Sequence, residues 1–377
     1  MASEHQRGAA RDFDLHGIVG VRLLDAGPRE VATVRRQLGP LEAPLDREPD
    51  VTVRFVDRAT ERSLTFVGLA DCGFNDEGFF VLKGKGSVPA RARIPFDRIG
   101  AGLEIVCERS MPAVPHLLAI INLTAVAKGV LPLHASAWTA AGTGVLVTGW
   151  AKGGKTESLL GSMAAGARYV GDEWVYLTDS GAMHGLPEPI RLWSWHLRQL
   201  REVLASRPAG DRVRLTGWHH AASTAERVSL RRVPGVGLVR RGVPVLKRQA
   251  YLQIPPVELF GADNVALHGH LDVAVLVASH DEEAHTVRAA EPGELSARMV
   301  ASLTTERDQF LDHYHQFCFA FPHRRSALVD GAPASERTLL AERLDHVPSA
   351  VVLHPYPCDV RALARTVAEA ARDLLAR

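Results

Sequence analysis

"VLVTGWAKGGKTESLLGS", residues 145–162, sets a short apolar run against a glycine-rich stretch, and a segment with helical spacing follows. Gly149, Gly154, Lys155 and Thr156 fit the spacing GxxxxGK[ST], with Lys152 and Gly153 inside the loop. Each element has a chemical reason. Glycines let backbone N–H groups turn inward around phosphate oxygens, the next helix adds its positive end, the lysine reaches the β and γ phosphates, and the hydroxyl suits Mg2+. A chance match is the competing reading, but the flanking strand and helix supply the context the motif requires. Only six of the 44 basic residues are lysines, and two of them, Lys152 and Lys155, fall here. A compact ammonium fits inside such a loop where a planar guanidinium does not.

Working outward, "LPLHASAWTAAGTG" (131–144) reads as strand sequence on either side of a Gly-Thr-Gly turn, and a helix is expected from about 154 to 165. "ARYVGDEWVYLTDSGAMHGL" (167–186) returns as two more strands joined by an Asp-Ser-Gly turn. Asp172 and Glu173 are expected to end a strand beside the loop strand, which would aim a carboxylate at a metal or an attacking hydroxyl. Acidic pairs at strand ends are common on surfaces, so the position after the loop is what singles this one out. His134, taken alone, reads as a satisfied, half-buried histidine.

At 377 residues and 46% hydrophobic, the chain is long enough for a large core and two domains. Residues 1–110 read as a small β-rich domain, with "VTVRFVDR", "SLTFVGL" and "GFFVLKG" separated by turns, and 111–377 as the domain carrying the loop. The helix expected in 111–129 puts Leu118, Ile121 and Ala125 on one face, with Gly129 as its C-cap. The net charge of +1 asks for neither nucleic acid nor a membrane surface as partner. With no apolar leader and no run of about 18 apolar residues, a cytoplasmic location is expected. Cys72, Cys107, Cys318 and Cys358 lie far apart without CxxC spacing and read as thiols.

Beyond the loop region the signals thin out. Residues 227–248 carry seven positive charges and no acid, which fits either a collector of phosphorylated or acidic substrates or a solvated loop. Lys247 and Arg248 are the pair chosen there as second-side phosphate contacts, and Arg191 in "PEPIRLW" (187–193) as a residue facing the site. His219 and His220, His268 and His270, and His313 and His315 have metal-like spacing without accompanying carboxylates, and read as surface or structural residues. "LDVAVLVAS" (271–279) reads as a strand, and "PGELSARMVASLTTERDQFLDHYHQ" (292–316) and "PCDVRALARTVAEAARDLLAR" (357–377) as amphipathic helical segments.

The stretch from His134 to Val175 resembles the nucleotide-binding core of the HPr kinase/phosphorylase family and its relatives. The likeness lies in His134 before the strand, Gly149, the GK[ST]E run Lys155, Thr156 and Glu157, Gly166 ending the helix, and the acidic pair. It covers some 45 residues closely and the amino-terminal third hardly at all. The pair is Asp-Glu here where the family has Asp-Asp, and Trp150 and Ala151 replace smaller or polar loop residues. The resemblance implies an α/β phosphate-loop fold related to phosphoenolpyruvate carboxykinase, a mixed sheet with flanking helices. It also implies roles: Gly149, Lys152, Gly153, Gly154 and Lys155 on the ATP phosphates, Thr156, Glu157 and Glu173 around Mg2+, Asp172 as base toward the acceptor, and His134 near the transferred phosphate. A homo-oligomer is a further implication.

The expected activity is that of an ATP- and Mg2+-dependent kinase acting on a hydroxyl: a serine of a protein or peptide, or a small hydroxylated metabolite. Two other readings stand beside it, a non-catalytic ATP-binding regulatory module and a carboxykinase-like or phosphatase activity on a small phosphorylated acid.

Overall fold

A computed structural model of the chain describes residues 10–68, 71–83, 90–200, 210 and 251–376. The first third alternates apolar and polar residues, and this period-two pattern folds as strands with one face inward. These are β1 (Arg11–Leu15), β2 (Val19–Leu24), β3 (Val51–Val56), β4 (Thr65–Val67), β5 (Cys72–Asn75), β6 (Gly78–Lys83), β7 (Ala90–Arg93) and β8 (Leu103–Glu108), with helix α1 (Pro28–Leu38) after β2. They form one eight-stranded sheet in the order β1-β2-β3-β8-β7-β6-β5-β4. Val51, Val53 and Phe55 of β3 are buried while the residues between them are half-exposed.

Helix α2 (Leu117–Ala127) leads to a second, mixed sheet. Its strands are β9 (Leu131–Ala140), β10 (Thr143–Thr148), β11 (Arg168–Gly171), β12 (Trp174–Leu177), β13 (Ala182–Gly185), β16 (His268–His270), β17 (Val273–His280), β18 (Thr286–Ala289) and β19 (Ser349–Pro355). A separate hairpin pairs β14 (Ile190–Trp193) with β15 (Tyr251–Ile254). The order is β16-β13-β12-β9-β10-β17-β19-β18, with β11 also on β9. β10, β17 and β19 run parallel, and the other pairings are antiparallel.

Both faces of the parallel part are covered, so its strands read as near-continuous apolar runs. Val145 and Val147 join Leu159 and Leu160 of helix α3 (Lys155–Ala164) in one core. Leu146, between them, joins the opposite core with Met299 and Leu303. The described helices that follow are α4 (Ser194–Gln199), α5 (Pro256–Phe260), α6 (Glu294–Glu306), α7 (Asp308–Ala320), α8 (Ala327–Leu344) and α9 (Val360–Leu375). α9 adds Val360, Leu363 and Val367 to the core under α3, and α6 and α8 cover the other face. The first sheet shares its core with α2, α7 and α8 through Ile120, Ile121, Phe310, Phe317 and Val329. Among the described residues no helix is long and apolar enough to cross a membrane.

Two expectations are corrected. The run 292–316 is not one helix: it ends at Glu306 and restarts at Asp308, and Arg307 between the two is buried against Glu336. And the strand carrying the acidic pair lies beside β9, not beside the loop strand β10, whose two edges are taken by β9 and β17. The pair follows directly on the end of β11 at Gly171. It sits in a break between β11 and β12, where the ladder register shifts after Tyr169 and Glu173 takes the left-handed region at φ +69°. Such bulges re-aim side chains, and a non-glycine residue at positive φ is held there by its surroundings.

Candidate functional site

The loop between β10 and α3 starts at Gly149, with φ +149°, where a Cβ would stand 2.3 Å from the carbonyl oxygen of Val277. At Gly154, the residue before α3 with φ +111°, a Cβ would meet His354 Nε2 at 2.6 Å. At both positions a side chain would be strained by the positive φ and by these close contacts. Lys155 Nζ lies within the loop and donates to the carbonyls of Gly149 (3.2 Å) and Trp150 (3.1 Å). Burial pushes its ammonium below the ordinary lysine range, against the pull of Glu173 and Asp172. Lys152 takes φ +64° in the same turn.

Asp172 is the buried centre of the site. Ser136 Oγ donates to its Oδ1, and Thr156 Oγ1 lies 3.1 Å from Oδ2 and 3.3 Å from Oδ1. Burial, then the charge of neighbouring Glu173, raises its carboxyl to about 7. Glu173 turns the other way, its Oε2 2.9 Å from His134 Nε2, and that hydrogen bond holds it below its ordinary range. On the far side of the same ring, Nδ1 lies 2.6 Å from Oε1 of Glu306, the last residue of α6. Burial works against a charged ring at His134, but Glu173 and Glu306 outweigh it and raise it.

The structure thus brings together Gly149, Lys152, Gly153, Gly154, Lys155, Thr156, Asp172, Glu173 and His134. Glu157 goes elsewhere: its Oε1 is 3.0 Å from His196 Nε2 on α4. Burial alone would raise this carboxyl, and the histidine takes it below its ordinary value instead. Arg191 is exposed at the rim with its guanidinium 5.0 Å from the Tyr251 ring, and its charge still reaches Glu173. Lys247 and Arg248, the basic segment around them, and His219 and His220 lie outside the described residues. His313 is tied to His116 at 2.6 Å and His270 faces Asp272 at 3.4 Å, so neither of the spaced pairs they belong to joins this site.

Residues that spacing did not single out complete the surroundings. His354, buried at the end of β19, has Nε2 2.9 Å from the Gly153 carbonyl and so steadies the loop from below. The only hint in the sequence is its place at the carboxyl end of an apolar strand, where α/β sheets hold ligands. Glu188 lies within "PEPIRLW". Its Oε1 is sealed from solvent without a partner, and burial followed by repulsion from Glu173 and Asp172 raises it to about 8.

An Mg2+ ion is implied by the motif, and the donors suit it. Mg2+ takes oxygen ligands, usually one or two carboxylates plus substrate phosphates and waters. Thr156 and Asp172 offer a hydroxyl and a carboxylate within 3.3 Å of each other, and the repulsion among Glu173, Asp172 and Glu188 that raises the Glu188 carboxyl is one that a bound cation would relieve. Among the described residues no three His, Cys, Asp or Glu side chains form a metal cage by themselves.

The Glu188 shift has a consequence for stability. A carboxyl raised to about 8 in the fold and near its ordinary 4.5 when unfolded supports the fold below pH 4.5 and loses that support as pH rises toward 8. Glu188→Gln removes this loss. Its melting temperature is expected to match that of the unaltered chain at pH 5 and to exceed it by about 2 °C or more at pH 8.5, read by calorimetry without nucleotide.

Fold and site together define a mixed α/β chain in which a glycine loop bearing a buried lysine faces an acidic break in the sheet. No family model matches the chain, and no curated protein matches it. Among solved structures it is similar to the Hpr(Ser) kinase/phosphatase from Coxiella burnetii, with 11% identity over 65% of this chain and 99% of that one and a TM-score of 0.26. A superposition that loose carries no argument, and the functional reading rests on the side chains.

Proposed function

We propose that the chain is a kinase that uses ATP and Mg2+ to phosphorylate a hydroxyl-bearing acceptor, a serine of a protein or peptide or a small hydroxylated metabolite. The observation that carries it is the meeting of Thr156 Oγ1 with the Asp172 carboxylate, at 3.1 Å, at the mouth of a loop that holds Lys155 inside. Loop amides, the start of α3 and Lys155 bind the triphosphate. Thr156 and Asp172 would hold Mg2+, which when bound neutralises charge on the β and γ phosphates. The acceptor oxygen bonds to the γ phosphorus as the bond to the β–γ bridging oxygen breaks, ADP leaves, and Asp172 takes the hydroxyl proton. A phosphate-loop fold of the kind found in HPr kinases is part of the same reading, and so is a β-rich amino-terminal domain that serves acceptor recognition.

Calorimetric titration of Mg–ATP tests the reading. Loss of the charge-assisted contact in Lys155→Ala should weaken binding about 10- to 100-fold. Phosphorus NMR of the unaltered chain with ATP, free serine and cell extract should show a new phosphate-ester signal. No Mg–ATP binding by the unaltered chain would sink the proposal.

A further inference from the structure

We infer that Glu306 is a positioning residue that fixes the ring of His134 for phosphoryl transfer, an inference that rests on the kinase reading. His134 stands on β9, opposite Trp174 of β12, and is buried. Its two ring nitrogens face two carboxylates from different parts of the fold: Nε2 is hydrogen-bonded to Glu173 Oε2 at 2.9 Å, while Nδ1, buried and without a hydrogen bond, meets Glu306 Oε1 as an ion-pair contact at 2.6 Å. The Trp174 ring lies alongside at 5.8 Å between centroids. A histidine held at one nitrogen only can flip its ring and exchange the two nitrogens. One that meets a carboxylate at each nitrogen is restrained against that flip by charge as well as by its hydrogen bond, and which nitrogen faces the reacting groups is set by what the other meets.

Glu306 is well placed to be that second hold. It is the last residue of α6, a helix seated on the sheet by Met299 and Leu303 beneath Leu133 and Ala135 of β9. The next residue, Arg307, is buried against Glu336 of α8 and anchors the helix end. Glu306 is thus presented by a rigid element. It acts on Asp172 through others: it holds His134, His134 holds Glu173, and Glu173 neighbours Asp172. Glu173 itself sits at φ +69°, so its side-chain direction depends on such support.

The test uses the full chain with Glu306→Gln, Glu306→Asp and, as reference, His134→Gln. Each is read by kcat and KM, Mg–ATP titration, melting temperature and 15N NMR of the imidazoles, with the His134 signals assigned by their loss in His134→Gln. Glu306→Gln is expected to lower kcat about 10- to 100-fold with the Kd for Mg–ATP within twofold and to move the His134 nitrogen signals. Glu306→Asp, which restores a carboxylate, should recover part of kcat. Unchanged kcat and unchanged His134 signals in Glu306→Gln would overturn the assignment. A parallel fall of kcat, ATP affinity and melting temperature would overturn it too, in favour of a purely structural residue. Absence of Mg–ATP binding or transfer in the unaltered chain would instead overturn the kinase reading, and the 15N signals would still report whether Glu306 holds the ring.

Discussion

Asp172→Asn is expected to lower kcat about 10²- to 10⁴-fold, a larger loss than the accompanying fall in Mg–ATP affinity that comes from replacing a charged Mg2+ ligand by an amide. Asparagine keeps the size of the side chain and can still accept from Ser136 or Thr156, so the loop and α3 keep their support. What it cannot do is take a proton from an attacking hydroxyl. A regulatory module that only binds nucleotide needs the loop but no base, so retention of any transfer near the original rate would remove Asp172 from that role. The pH profile supplies a second check. Burial and Glu173 raise the free carboxyl to about 7, and it serves as a base only once ionised. kcat/KM should therefore rise with pH through about 7 in the unaltered chain, and that limb should vanish in Asp172→Asn.

How much of this is legible from residue order depends on distance along the chain. Gly149, Gly154, Lys155 and Thr156 are legible because their spacing is itself the chemistry, and the structure shows why a side chain at either of the two glycines would be strained. The acidic pair is legible as a pair but not in its setting. A strand, loop, helix and strand in sequence suggest parallel neighbours, yet the antiparallel hairpin of β9 with β10 places β9 between the loop strand and the acids. Without that inserted strand, His134 and Ser136 would not face Glu173 and Asp172. Glu306 and His354 both lie far beyond Glu173 in the chain; nothing local marks Glu306, and His354 is hinted at only by its place at the end of an apolar strand. The amphipathic run through 292–316 likewise conceals its break, and the partner of Arg307 there, Glu336, stands on another helix.

Breaking that partnership should cost a large part of the stability of the molecule. Arg307 and Glu336 are 5% and 2% exposed, and their side chains meet in two parallel hydrogen bonds, Nη1 to Oε1 and Nη2 to Oε2, the latter at 2.6 Å. Glu336→Ala leaves a guanidinium buried without its counter-charge, which costs about 3–5 kcal/mol. Thermal or urea unfolding should show that loss directly. Replacing both partners by apolar residues of similar volume, Arg307→Met with Glu336→Leu, should recover most of it, because the expense lies in stranding one charge and not in lacking the pair. The double variant also separates stability from site geometry. Its fold should return while the end of α6, where Glu306 meets His134, loses the bidentate anchor beside it. Recovered melting temperature with kcat still reduced would show that the ion pair serves to orient that helix end, and full recovery of both would show that packing alone suffices.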